Sequence, residues 1–466
     1  MSTGSDKGIF EGFLTASESQ LDESPMHTME ELTEWIQSRN RTLTVKVDQI
    51  PLKECDPWYY DRDEDCIRNH RGSFFKITGL KQYRGDELIA EQPVIIQDEI
   101  GFLGIITCRI GDTWHYLMQA KIEPGNVNVV QISPTLQATK SNFTGAHGGR
   151  IPEYLDQFMN MKSADIIVDQ IQSEQSSRFL KKRNRNVILK VNEVLPEGAA
   201  HRWMTLRQIK DLMGQDNLVN MDTRTVLSCI PYVLMGQDSD VPFKNKSYFY
   251  KTAQSMDRKT IVELYHGMND YKMLGDVTSH ITGLKSLKTW DFRGTEFSCD
   301  REYPFRVIFC DINIEGREVT HWKQPLFASN GPATFGLICR DDNGVLKFLV
   351  KTRPEPGCFD GIEIGPTIQK EFTDKTESDD VERLFFRKLN DPACRKDIVV
   401  DRVLSEEGGR FYQEENRNVI MLSDKDELGD LPPYYVWSDY GTLNILTQIN
   451  NCLNIQLRNL LSLLEV

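Results

Sequence analysis

No apolar run in this 466-residue sequence is long enough to cross a bilayer as a helix. The ten cysteines fall singly, with no CxxC pair, and the eight histidines form no HxxxH or HExxH group. That pattern argues against structural zinc, so no metal is expected and the thiols are read as reduced and mostly buried. GxGxxG, GxxxxGK(S/T) and GxSxG are all missing. Their absence removes the Rossmann dinucleotide site, the P-loop and the serine-hydrolase elbow, and no cofactor is expected. Positive charge is in short supply: 55 Lys and Arg against 69 Asp and Glu, a net charge of −14. This excludes a general nucleic-acid or anionic-membrane binder but leaves room for one local basic pocket. Residues 1–20 lack the basic-then-apolar layout of a signal peptide, so a cytosolic location is expected.

What is present is a duplication. Residues 117–142 form a polar stretch between strand-like apolar runs, and a second version begins at Leu349. Adding 232 to a residue number carries one copy onto the other. Trp58 falls on Trp290, Glu123-Pro124-Gly125 on Glu355-Pro356-Gly357, and Pro134, Thr135 and Gln137 on Pro366, Thr367 and Gln369. The register holds through Glu174/Glu406, Arg178/Arg410 and Asn184/Asn416, and a shift of 234 then aligns Trp203 with Trp437. The period is far longer than a solenoid repeat, so each copy is a domain.

Alternating apolar residues and turn signals predict mainly antiparallel strands with short helices, an α+β class. The expected division is a flexible lead over 1–25, a first domain over 26–203, a helical linker over 204–256, and a second domain over 257–466. Capping boxes at Thr28/Glu31 and Thr205/Gln208 open two of the helices. The stretch 55–72 is expected to be a loop, and 236–254 a polar loop. A final helix over Leu443, Leu446, Ile449, Leu453, Leu457, Leu460 and Leu464 either packs on its own domain or forms a dimer contact.

Three features carry candidate chemistry. Gln119, Lys121 and Glu123 share one strand face before a Pro-Gly turn, with Asn126 and Gln131 nearby, which suggests a wet cleft. Residues 178–186 are strongly basic, and Arg178, Asn184 and Arg185 partly recur as Arg410, Asn416 and Arg417, which suits a diphosphate. Ser405-Glu406-Glu407-Gly408-Gly409-Arg410 places two carboxylates in a close-approach loop, where burial makes a competent base. The first copy keeps Glu174 but has Gln175, which favours the second copy for the chemistry. His147 lies in a glycine-rich loop and is taken as a ligand contact. Trp58 and Trp290 either stack on a base or sugar or serve as core aromatics.

Gln119-Ala-Lys-x-Glu-Pro-Gly-Asn126, Ser133-Pro-Thr-x-Gln-Ala-Thr-x-Ser-Asn142 and Ser405-Glu-Glu-Gly-Gly-Arg-Phe411 resemble motifs of the NDP-hexose 2,3-dehydratases. The resemblance covers nearly the whole chain. It implies two tandem Nudix-like domains, each a mixed or antiparallel sheet with flanking helices, in a homodimer. Each copy then holds a nucleotide-sugar, with one pocket catalytic and the other a remnant. The REx2EExGU helix of true Nudix hydrolases is not found. The implied substrate is a TDP-linked 4-keto-6-deoxyhexose, whose C3 proton is acidified by the C4 carbonyl. Glu406 or Glu407 is the expected base, and Tyr434 or Tyr435 the acid. Lys351, Arg353 and Arg410 stabilise the enolate or bind diphosphate. Further expected contacts are Thr135, Gln137, Thr139, Asn142, Glu355, Thr367 and Gln369. The rival readings are a non-catalytic nucleotide-sugar-binding protein and a Nudix-type diphosphohydrolase.

Overall fold

A computed structural model describes residues 26–72, 74–111, 113–139, 152–232, 251–315 and 319–464. The expected lead over 1–25, most of the 236–254 loop, Asn142 and His147 lie outside these residues; 251–254 are helical.

Each repeat builds the same seven-stranded sheet. In the first, Gly101–Ile110 pairs antiparallel with Thr113–Ile122 and parallel with Arg183–Val191, which pairs in turn with Ile166–Ser173. His201–Thr205 and Val130–Ser133 extend Thr113–Ile122, and Leu136–Ala138 adds to Gly101–Ile110. The second sheet repeats this order with Thr334–Asp342 and Val345–Pro354 at its centre. The central strands are largely buried, with Gln119 and Lys121 of Thr113–Ile122 only partly so.

A smaller sheet precedes each large one, and the two repeats exchange a strand. Val45–Gln49, from the first repeat, pairs with Phe305–Ile314 of the second. Its counterpart Val277–Thr282 pairs with Lys76–Arg84 of the first. Helix Met29–Thr42, with its capping box formed, anchors the first exchange by burying Leu32 and Ile36. One apolar core then runs through both large sheets, and a second joins Trp58, Phe75 and Phe179 to Trp290, Phe305 and Phe411. The repeats therefore fold as one body.

Two expectations need correction. The stretch 55–72 contains a hairpin, Trp58–Asp61 against Cys66–Asn69. Its aromatic and β-branched residues favour a pleated surface despite the surrounding charge. The expected final helix is two, Tyr440–Thr447 and Ile455–Ser462, separated by Asn451 at φ 55° and a new cap at Asn454. All of its expected apolar residues but Ile449, 41% exposed in the break, are buried in this chain's own core. The same break, at Asn217 and Asn220, divides Leu206–Met213 from Met221–Ser228 in the first repeat. Those two helices fall in the expected linker, yet they are the structural counterparts of the C-terminal pair. Met221–Ser228 and Ile455–Ser462 pack across each other. No helix among the described residues is long and apolar enough to cross a membrane.

Candidate active site

The Glu-Pro-Gly turns explain how the two repeats share their sites. The Gly125 N–H donates to the Gly408 carbonyl at 2.7 Å, and the Gln413 N–H donates to the Gly125 carbonyl at 2.8 Å. A Cβ on Gly125 would collide with the Phe411 carbonyl oxygen, so only glycine lets the turn seat there. The mirror contact joins Gly357 to Ser176 and Lys181, each hydrogen bond again 2.8 Å. Each turn is therefore inserted into the other repeat's loop. Glu407, from the second repeat, is delivered beside Glu123 of the first.

A cavity of about 750 Å³ opens at this junction. Lys121, Glu123, Glu174, Lys182, Asp222, Glu407 and Arg410 line it, together with Trp58, Phe74, Arg71, Trp322 and Lys323. Gln137 Nε2 donates to Glu123 Oε1 at 3.2 Å, and Lys121 Nζ stands 3.7 Å from the same oxygen. The Gly409 N–H donates to Glu407 Oε1 at 2.8 Å. Asn184 donates to Glu174, and Lys182 to the Glu99 carbonyl. Arg410 Nη2 reaches Gln97 Oε1 at 3.4 Å while its guanidinium lies over Phe75.

Burial dominates the electrostatics. It pushes the Glu407 carboxyl up to about 7, helped by Glu123 and opposed by Arg410. It lifts Glu174 to about 7 against the pull of Lys182. Asp222 is raised well above the usual carboxylate range, again by burial and then by Glu174, Glu407 and Glu123. Lys182 falls to about 8 through burial, opposed by Glu174. Acid and base forms thus coexist in this cluster near neutral pH.

Of the residues singled out in the sequence, Trp58, Lys121, Glu123, Gln137, Thr139, Asn184, Glu407 and Arg410 line the cavity. Gln119, Asn126, Gln131 and Thr135 stand behind it. Gln131 Nε2 donates to Ser405 Oγ at 2.7 Å, and Asn126 Nδ2 to the Lys121 carbonyl at 3.3 Å. Thr135 Oγ1 accepts the Ile106 N–H at 2.9 Å, and Gln119 Oε1 accepts from Ser133 Oγ at 3.5 Å. Arg185 and Arg417 form two-point ion pairs with Asp169 and Asp401, apart from the cavity lining. Trp290 is a core aromatic, 5% exposed.

The remaining residues gather at the matching place in the second repeat. Gln369 Nε2 donates to Glu355 Oε1 at 2.8 Å, and Arg353 donates to the Gln369 carbonyl. Thr367 Oγ1 accepts the Ile338 N–H at 2.9 Å. Glu406 belongs here, bonded to Gln175 and to Asn416 at 2.5 Å. Arg178 binds Glu371 at 2.9 Å and lies 4.3 Å over Phe305. Lys351 donates to Tyr435 at 3.1 Å, with Tyr434 beside it, so neither tyrosine accompanies Glu407.

Lys182, Asp222, Phe74 and Trp322 line the cavity without having been singled out. Asp222 had a signal. The shift of 234 continues past Trp203 to set Asn220 on Asn454 and Arg224 on Arg458, which places Asp222 opposite Gln456.

Carboxyl groups and an amine whose proton affinities converge on neutrality, in a cavity also edged by cations and aromatics, define an acid–base enzyme for an anionic ligand. The chain belongs to the NDP-hexose 2,3-dehydratase family, and is therefore a hydro-lyase: the family's sequence pattern matches residues 29–230 and again 262–464. It is 35% identical, over 92% of its length and 90% of the relative's, to a dTDP-4-dehydro-6-deoxy-alpha-D-glucopyranose 2,3-dehydratase of Saccharopolyspora spinosa. Dehydratases of the same name from Streptomyces violaceoruber and Amycolatopsis orientalis are each 33% identical. Those matches cover 92% and 93% of this chain, and 95% and 89% of the relatives.

Proposed function

We propose that the enzyme removes water across C2–C3 of a dTDP-linked 4-keto-6-deoxyhexose, giving a 3,4-diketo-2,6-dideoxy sugar nucleotide. The observation that carries this reading is Glu407, a buried carboxyl set among Lys121, Lys182 and Arg410, with a pKa of about 7. In such a substrate the C3–H bond is α to the C4 carbonyl. Glu407 takes that proton, and the electron pair moves onto the C4 oxygen. Lys121 and Lys182 are the cations available to stabilise the resulting enolate. The pair then returns to form C2=C3 as the 2-hydroxyl departs, and the enol at C3 becomes a ketone. Phe74 and Trp322 are the aromatics available to a base, and Arg71, Lys323 and Arg410 offer charge for a diphosphate. The homodimer implied by the resemblance belongs to the same reading, and light scattering of the purified chain measures it.

The test is incubation with dTDP-4-keto-6-deoxyglucose followed by mass spectrometry. Loss of one water supports the reading. Release of a nucleoside monophosphate, or an unchanged substrate, overturns it.

A further inference from the structure

The elimination also needs an acid, because hydroxide is a poor leaving group. The geometry points to Asp222 as that catalytic acid, delivering its proton to the departing 2-hydroxyl. The inference rests on the dehydration proposed above. Asp222 sits in the first turn of Met221–Ser228, capped by Asn220, whose Oδ1 accepts the Thr223 N–H at 2.8 Å. It is 1% exposed and lines the cavity with Glu407. Its Oδ2 is shut from solvent and has no hydrogen-bond partner among the described residues. A buried, unpartnered carboxyl oxygen is costly unless the group is neutral or a ligand engages it. Burial disfavours its charge most, followed by Glu174, Glu407 and Glu123.

Glu174 is the competing carboxyl, and the two repeats separate them. Glu174 is tied to Asn184, and the second repeat keeps the same arrangement in Glu406 and Asn416. That pair is shared framework. Glu407 and Asp222 have Gln175 and Gln456 at the matching positions, one in each repeat, so both acids become amides at the equivalent site. A base and its partner acid are the two groups whose loss would go together.

The protons balance. Glu407 accepts the C3 proton, and the C3 electron pair forms C2=C3 while the C2–O bond breaks. Asp222 protonates the leaving oxygen, which departs as water. Ketonisation then moves the O3 proton to the Asp222 carboxylate, and Glu407 returns its proton to C2. Both groups end in their starting forms.

The test compares Asp222→Asn with wild type on the 4-keto sugar nucleotide and on its 2-deoxy-2-fluoro analogue, since fluoride leaves with far less need of an acid. The expected result is a loss of water elimination of about 10²–10⁴-fold. Fluoride release should stay within about threefold, and C3–H exchange into deuterated water should persist. Equal loss of all three signals, or water loss within about tenfold of wild type, overturns the assignment. Asp222→Gln, which copies the second repeat's residue, serves if the asparagine variant folds poorly. Failure of the wild type to release water would count against the dehydration itself and not against Asp222.

Discussion

The cavity shares a frame with its counterpart, the second pocket that the duplication implies, and the two differ in what stands on it. Both have a glutamate–glutamine pair: Glu123 with Gln137 at 3.2 Å, and Glu355 with Gln369 at 2.8 Å. Both have a glutamate–asparagine pair and a fully buried arginine beneath, Arg224 on the Ser405 carbonyl and Arg458 on the Ser173 carbonyl. The differences fall on the groups that would move protons. Glu407 is matched by Gln175, Asp222 by Gln456, Lys182 by Glu414 and Thr139 by Glu371. In the second pocket Glu371 holds Arg178 in an ion pair, whereas the counterpart Arg410 borders the open cavity. On the proposed reading, duplication keeps the frame while the proton-transfer groups stand on one side only. Glu406 and Glu407 show how finely the division runs: neighbours in sequence, they face different pockets as the chain leaves its strand.

The largest effect should come from splitting that pair. Glu407→Gln is expected to lower turnover about 10³-fold or more and to abolish C3–H exchange, with nucleotide-sugar binding retained. Glu406→Gln, in the second pocket, should stay within about tenfold of wild type by the same assay. If the two variants lose activity equally, the pockets are not functionally distinct.

The arginines make the next comparison. Arg410→Ala removes a cation from the cavity and should cost about 10²-fold in kcat/KM, mostly through KM. Arg178→Ala strands Glu371 and should act on stability instead. A melting temperature lower by several degrees with kcat/KM within about threefold is the expected outcome. Steady-state kinetics and thermal melts on both variants would expose a reversal.

Much of this was legible in the sequence because duplication marks its own important residues. The repeat register identified the Glu-Pro-Gly turns, Arg410 and Gln137 without any fold, and the paired carboxylates before two glycines pointed to Glu407. It could not say that each turn enters the other repeat's loop, since hydrogen bonds such as Gly125 to Gly408 span nearly three hundred positions. For the same reason Lys121, read with the first copy, and Glu407, read with the second, line one cavity. Nor does apolar alternation at Val45 and Val47 reveal which sheet the strand joins, because either edge satisfies its backbone. Asp222 was hidden by attention to identities. It stands where the repeats differ, between the matched residues Asn220 and Arg224.

The pH–rate profile sharpens the comparison with a smaller effect. kcat/KM should rise about tenfold per pH unit below about 7, where Glu407 must lose its proton, and fall above about 8, where Lys182 loses its own. These limbs belong to the cluster as a whole. Lys182→Arg, which keeps its proton, should carry activity further into the alkaline range. Glu414 and Glu363 near the second pocket also have raised values, about 8 and about 7, yet should leave no mark on the rate. A profile flat from about pH 6 to about pH 9 would break the assignment.

Stability should respond to both pockets alike, with the smallest shift. Glu407, Glu174, Glu414 and Glu363 all have folded values raised above their ordinary 4.5. Between about 4.5 and their folded values the native state binds more protons than the unfolded chain, so stability falls as pH rises. Their contribution is fully present below the ordinary carboxylate range and lost as pH passes about 7 to about 8. Ligand-free protein should therefore melt several degrees lower at about pH 8 than at about pH 5.5. Glu407→Gln and Glu414→Gln should each flatten that slope by a similar amount, because each removes a carboxylate that must charge while buried. Only the first should touch turnover. Calorimetry of both variants across this range, set beside their rates, would separate a group kept for chemistry from one merely left in place. Equal flattening with unequal rates is the expected pattern, and a steeper slope in either variant would reverse the sign argued for its carboxyl group.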